Sequence, residues 1–262
     1  MRDQIALFGS IVSQPIETAG RYWIFVTKSC KRIFFPPVKW HLLITQLEFV
    51  GNRSFTIIIL AGAMVGGIFG FQLGEIFKVF GAVSMIGAAA GFALSRELAP
   101  LIGAFLVTGR AGSSMAAELA TMRVNEQIDA MRVMSVNPFS YLVAPRILAS
   151  IIMMPVLSIF FIVSGVATSF LVGVAFYDVD VADFISKIEW ILSPKDILSG
   201  LEKSLVFGFI FSSIGCYQGF HASGGAKGVG HATTVAVVIS YVTILVADFF
   251  ITYFQFRFNH LS

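Results

Sequence analysis

Charge is scarce in this chain of 262 residues: 13% are Asp, Glu, Lys or Arg, where soluble domains carry roughly 25%. A polypeptide this poor in charge cannot clothe its surface in polar groups, so a water-soluble globular domain is excluded. Cysteine is almost absent. Cys30 and Cys216 form no CxxC or Cys/His spacing, which excludes a disulfide scaffold and a zinc module. The four histidines, His41, His221, His231 and His260, are scattered and none stands at metal-ligand spacing. There is no G-x-x-x-x-G-K-[ST] loop, so the chain is not expected to hold ATP phosphates by itself. No nucleophile, base and orienting group recur at catalytic spacing, and an enzyme reading has no residues to rest on. Eighteen Lys and Arg give a net charge of +3 but no dense basic stripe, which argues against nucleic acid as a partner. Residues 1–20 contain Asp3 and Glu17 and lack an apolar core before a small-residue cleavage site. Insertion is therefore expected to rely on the chain's own spans.

What the chain has instead is apolar: 56% hydrophobic residues, 27 Phe and 24 Gly, with a mean hydropathy of +0.84. Crossing ~30 Å of hydrocarbon takes about 20 helical residues. Five stretches qualify, at 54–74, 79–109, 147–177, 204–226 and 228–256. The reading is an all-α integral membrane protein, a permease-like domain over 54–256. Pro155 in the third stretch is expected to kink it. Five spans put the two ends on opposite sides. With residues 1–53 inside, twelve Lys and Arg flank the inner ends and four the outer: Lys78, Lys187, Lys195 and Arg257. Cations are retained on the cytoplasmic side, so the amino end is expected in the cytoplasm and the tail 257–262 outside. Within 1–53, Trp23, Phe25, Phe34, Phe35 and Trp40 alternate with Lys28, Lys31, Arg32 and Lys39, and Pro36-Pro37 breaks any helix. This pattern suits an interfacial elbow helix lying among headgroups; an ordinary basic flank is the alternative.

Gly62, Gly66, Gly70 and Gly74 recur every four residues on one face of the first span. Gly87 and Gly91 repeat the device in the second, and Gly165, Ser169 and Gly173 in the third. Small residues let helix backbones approach closely in lipid. The stripes serve packing within one chain, or one of them serves a seam between two copies.

Polar residues inside these stretches are the functional signal. Arg96 and Glu97 sit mid-span, where a charge costs at least ~2.5 kcal/mol. Pro100 removes the N–H that would bond the Arg96 carbonyl and weakens the helix there. Residues one apart on a helix point about 100° apart, so a simple mutual ion pair does not account for both. Lys203 lies at the outer margin of the fourth span beside Glu202, and Asp248 sits in the fifth; function and snorkelling to the interface are both open for them. Between the second and third spans, residues 109–146 exceed a turn. Glu118, Arg123, Asn125, Glu126, Asp129 and Arg132 interleave there with Met115, Leu119, Met122, Ile128 and Met131. Such a helix either docks on another protein through an adaptable Met-rich face or lies on the membrane surface.

The runs RELAPLIGAFLVTGRAGSSMAAELATMRVNEQIDAMRVMSVNP, at 96–138, and GGAKGVGHATTVAVV, at 224–238, resemble the MlaE/YrbE permeases of ABC transporters that work with MCE proteins. The resemblance covers nearly the whole chain. It implies a homodimer in a bacterial inner membrane, with a separate cytoplasmic ATPase that binds ATP and Mg, while this chain carries no cofactor. It also implies an MCE hexamer on the periplasmic side and transport of phospholipid or a related lipid between inner and outer membranes. By the same resemblance, 110–134 is the cytoplasmic coupling helix that meets the ATPase, through Glu118, Arg123, Glu126 and Asp129. Glu97 with its neighbour Arg96, and Lys203 within EKSLVFG, would line the lipid cavity. Where many members have arginines in the glycine-rich loop this chain has Lys227 and His231, which removes any guanidinium fork there. Two other readings remain at this stage. One is an ion-coupled carrier using Glu97 or Asp248, which the lack of internal inverted repeats disfavours. The other is a scaffold that only anchors MCE proteins.

Overall fold

A computed structural model describes the backbone of residues 2–34 and 40–259, with side chains from 17–33 and 40–257. The break at Pro36-Pro37, with Phe35 and Lys39, and the end of the tail at 260–262 lie outside the described residues. Helix α1 (Arg2–Phe34) precedes α2 (Trp40–Val50) and α3 (Asn52–Val79). The second span contains α4 (Ile86–Ala93), α5 (Ala99–Val107) and α6 (Ser113–Val124), separated by single π-helical turns at Leu94–Leu98 and Thr108–Gly112. The short α7 (Gln127–Val133) follows, then a π-turn at Phe139–Val143 that opens α8 (Ala144–Tyr177). The chain closes with α9 (Val181–Ile191), α10 (Pro194–Phe220) and α11 (Gly225–Asn259). No strand occurs among the described residues. The chain is an all-α integral membrane protein: five helical runs are long and apolar enough to span, namely Trp40–Val79, Val83–Val124, Phe139–Tyr177, Pro194–Phe220 and Gly225–Arg257.

Several helical runs extend beyond the apolar stretches of the sequence, the first two furthest. The first helical run begins at Trp40 rather than 54, because Leu43 and Val50 turn one face of α2 into the core, along α8. The second continues to Val124 rather than ending at 109. Arg110, the charge that closes the apolar stretch in sequence, donates to the Phe49 carbonyl and lies 4.9 Å over the Phe49 ring. With that cation engaged by Phe49 the helix continues, and Met115, Ala116, Leu119 and Ala120 extend its buried face.

The glycine stripes pack within the chain. A β-carbon at Gly62 would stand 2.6 Å from the Phe161 carbonyl oxygen, and one at Gly66 would overlap the backbone of Gly165. Gly70 faces Val172 and Gly74 the Tyr177 ring, so α3 and α8 run backbone to backbone. Gly87 and Gly173 both receive Phe184 of α9. These contacts occupy the stripes and remove them as a seam between copies. Helix α9 itself was not foreseen in the acidic segment after the third span. It starts where Asp180 accepts from the N–H groups of Ala182, at 3.0 Å, and Asp183, at 3.4 Å, an N-cap worth about 1 kcal/mol.

Helix α1 is docked rather than a loose flank. Phe25 is buried with its ring 5.3 Å from Phe139, 5.5 Å from Tyr217 and 5.7 Å from Phe220, and the Tyr22 hydroxyl meets that of Ser213 at 2.7 Å. Trp23 and Ile24, on the other side, are exposed.

Overpacking a tight interface costs typically 1–3 kcal/mol. Gly66→Ala should therefore lower the unfolding temperature of the detergent-solubilised protein by several degrees. Gly20→Ala, where nothing lies within 4 Å of the new carbon, should leave it unchanged or slightly raised. Thermal unfolding followed by circular dichroism separates the two.

Candidate functional site: an ion cluster buried between three spans

Pro100 occupies the first turn of α5 and has no N–H to give. The preceding turn widens into the π-helical segment Leu94–Leu98, a distortion that recurs at functional sites. The widened turn sends Arg96 and Glu97 to different partners. The Arg96 guanidinium lies 3.6 Å from Asp196 at the start of α10 and 5.2 Å over the Phe92 ring. The Asp196 carboxylate also accepts from the Ser193 N–H at 3.0 Å and the Ser193 hydroxyl at 2.8 Å, which fixes the first turn of α10. Glu97 turns the other way and takes a charge-assisted hydrogen bond from Lys203.

Lys203 is the centre of the arrangement, with 0% of its side chain exposed. Its ammonium donates to Glu97 of the second span and to the Thr252 hydroxyl of α11, at 2.7 Å. Asp248, one turn earlier on α11, places a carboxylate oxygen 3.0 Å away as an ion pair outside hydrogen-bond geometry. Two formal negative charges thus surround one positive charge. Asp248 does not snorkel; it is half of this clamp. Lys203 reaches so far inside because α10 presents small residues to its neighbours. Gly200 packs on the Ser95 carbonyl, Gly208 lies 2.6 Å from the Ser150 carbonyl and Gly219 the same distance from that of Ala116, each measured from a hypothetical β-carbon. Ser204 and Ser158 share a hydrogen bond of 2.8 Å. Gly200, Ser204, Gly208 and Ser212 form a fourth small-residue stripe at four-residue spacing, as regular in sequence as that of α3.

Glu97 is the open member. Its side chain is 39% exposed, although it belongs to a span. A carboxylate facing hydrocarbon is costly, so its free side belongs to water, to another protein surface or to a polar ligand.

The four acidic and basic residues read as coupling contacts lie together at the opposite end of the second span. Three of them are engaged within the chain. Glu118 accepts from Arg146 at 2.8 Å, and Asp129 accepts from Arg123 at 2.6 Å and Arg132 at 3.0 Å. Glu126 stands exposed at the turn between α6 and α7, with φ +57°. Of the two readings of the Met-rich face, docking through it does not fit: Met115, Leu119 and Ile128 are fully buried, and Met122 and Met131 pack with Phe25, Tyr217 and Phe220. What projects is the tip, where Val133 is 86% exposed beside Met134. Nearby on α1, burial pushes the Tyr22 phenol up from its ordinary pKa against the opposing pull of the Ser213 hydrogen bond. Sequence reasoning missed Asp196, Thr252 and Arg146, all of them partners distant in sequence. Asp196 was legible only as the acidic N3 residue of a Ser193 capping box, and nothing local marked Thr252 or Arg146 as a partner.

The fold and the cluster together define a multi-pass integral membrane protein with charges locked inside its spans. The sequence profile described as "Permease MlaE" matches residues 43–254, and the chain belongs to that family. It is 40% identical to a probable ABC transporter permease protein of Rickettsia felis over 92% of this chain and 93% of that one. A probable ABC transporter permease protein of Synechocystis is 38% identical over 81% of each. The chloroplastic protein TRIGALACTOSYLDIACYLGLYCEROL 1 of Arabidopsis thaliana is 40% identical over 86% of this chain and 65% of its own length. The chain is a permease subunit of an ABC transporter.

Removing one partner of a buried ion cluster leaves uncompensated charge and costs about 3–5 kcal/mol. Lys203→Met, which keeps the volume and strands Glu97 and Asp248, should lower thermal stability far more than Lys195→Met at the exposed end of the same helix.

Proposed function

We propose that this permease moves a phospholipid or a related lipid between the inner and outer membranes, as a homodimer in a bacterial inner membrane. A separate cytoplasmic ATPase binds ATP and Mg and supplies the work, and a periplasmic hexamer of MCE proteins receives or delivers the lipid. The observation that carries this reading is Glu97: a carboxylate within a span, tied to a buried lysine, with its other side open. A lipid head group brings polar atoms that an open carboxylate can meet, while its tails are content beside the surrounding Phe, Met and Leu. The name of the Arabidopsis relative contains a diacylglycerol glycolipid, which agrees with a lipid cargo here.

Residues 1–34 and the α6–α7 end are read as cytoplasmic and the carboxyl end as periplasmic, because Lys and Arg crowd the former. ATP-driven closure of the ATPases would then push on the 110–134 segment. Since α6 is the unbroken continuation of the second span, a push at its tip travels along one rod to the π-turn carrying Arg96 and Glu97. The Glu118–Arg146 pair ties that rod to α8, so the third span moves with it. Contact with the ATPase falls to Glu126 and the Val133–Met134 tip, with Arg123 and Asp129 holding the tip in shape.

Glu126→Lys should reduce co-purification of the ATPase while leaving the permease monodisperse. Arg123→Glu should reduce it too, through loss of the Asp129 pair, with a measurable fall in thermal stability that Glu126→Lys lacks. Unchanged assembly in both variants would remove the docking role from this tip.

A further inference from the structure

Where α1 crosses α7 and the end of α10, a recess of about 250 Å³ opens at the surface. Its walls are aromatic, from Phe25, Phe139 and Phe220, and its rim is cationic, from Arg21, Lys28 and Arg132. The rim is under-neutralised. Arg21 has Glu17, on the exposed side of α1. Arg132 shares its single carboxylate, Asp129, with Arg123. Lys28 has no carboxylate partner among the described residues. The three rim cations, counted with Arg123 behind them, face the two carboxylates Glu17 and Asp129, which leaves an excess of two positive charges around the recess. The Arg132 guanidinium is held 5.5 Å over the Phe220 ring, and His221 at the floor is oriented by its Nδ1 contact of 2.9 Å with the Tyr217 carbonyl.

Packing alone does not call for this convergence, since cations from two separate helices repel one another unless an anion lies between them. The volume equals about eight waters, the scale of a phosphoglycerol group and too small for a whole lipid. Trp23 and Ile24 point outward from the same stretch of α1, as residues do at headgroup level. Guanidinium groups bind phosphate oxygens through paired hydrogen bonds, and basic pockets at the membrane surface hold anionic head groups.

We propose that this recess is a binding site for a phosphate ester, the head group of an anionic lipid in the leaflet at the α7 end. The bound phosphate bridges Arg21 and Lys28 of α1 to Arg132 of α7 and so fastens the surface helix to the segment that ends the second span. The site is separate from the Glu97–Lys203 cluster and does not depend on what the transporter carries.

The test uses the full-length protein, purified in mild detergent with an equimolar mixture of phosphatidylglycerol and phosphatidylcholine, and native mass spectrometry of the retained lipid. The wild type should retain phosphatidylglycerol in preference. Arg21→Gln with Lys28→Gln should weaken that retention about fivefold for each cation removed. Lys31→Gln with Arg32→Gln, which removes equal charge from the same helix away from the recess, should retain it. Inorganic phosphate separates the sources: failure to displace phosphatidylglycerol supports the lipid, and displacement supports the same site filled by soluble phosphate. Equal retention of the two lipids by the wild type, or equal losses in the two double variants, would overturn the proposal. Should the recess variant not fold, hydrogen exchange of the wild type in nanodiscs decides. Protection of residues 21–28 and 127–133 by phosphatidylglycerol over phosphatidylcholine is expected, and identical exchange in the two lipids would refute the site.

Discussion

A fully buried ammonium cannot be left alone in hydrocarbon, and the architecture around Lys203 follows from that constraint. Counter-charge has to come from other helices, because residues adjacent on α10 point elsewhere. Glu97 comes from the second span and Asp248 with Thr252 from the fifth, so one side chain fastens three of the five spans. Glu97 can reach it because Pro100 withholds an N–H and the helix widens by one residue at Leu94–Leu98. Arg96, turned away by the same distortion, finds Asp196 and fixes where α10 begins. A local backbone defect and a long-range ion cluster are therefore two sides of one arrangement.

Close packing seals the lysine at the centre of the cluster. In lipid no hydrophobic force drives helices together, and contact depends on how near their backbones can come. The glycines of α3 against α8, and those of α10 against the second and third spans, bring backbones within van der Waals range. Water is excluded from Lys203 as a result, which strengthens the ionic contacts and raises the cost of disturbing any one of them. Glu97 remains partly open, so the site has one face locked and one face available.

Periodicity and composition made much of this legible. Five apolar stretches, the four-residue glycine repeat and the Arg96-Glu97-Pro100 sequence were all readable along the chain, because each is a local pattern. Pairings were not. Nothing near Asp248 announces Lys203, and nothing near Glu118 announces Arg146, since those contacts join residues 45 and 28 positions apart. The same blindness displaced the boundaries: Arg110 reads as the end of a span until the Phe49 carbonyl and ring are seen to receive it. The Met-rich face of α6 and α7 shows the converse, since an adaptable surface in sequence turned out to be filled by Phe25, Tyr217 and Phe220 of the same chain.

The central claim is that the charges of Glu97, Lys203 and Asp248 serve transport and are not needed for folding as such. Replacing a whole buried ion cluster by neutral groups of similar size is often neutral or stabilising. The variant combining Glu97→Gln, Lys203→Met and Asp248→Asn, assembled with the proposed ATPase and MCE partners in proteoliposomes, isolates the two roles. Folding and assembly at wild-type levels with lipid transfer reduced to background is the predicted result. Wild-type lipid transfer by the same neutral variant would contradict it.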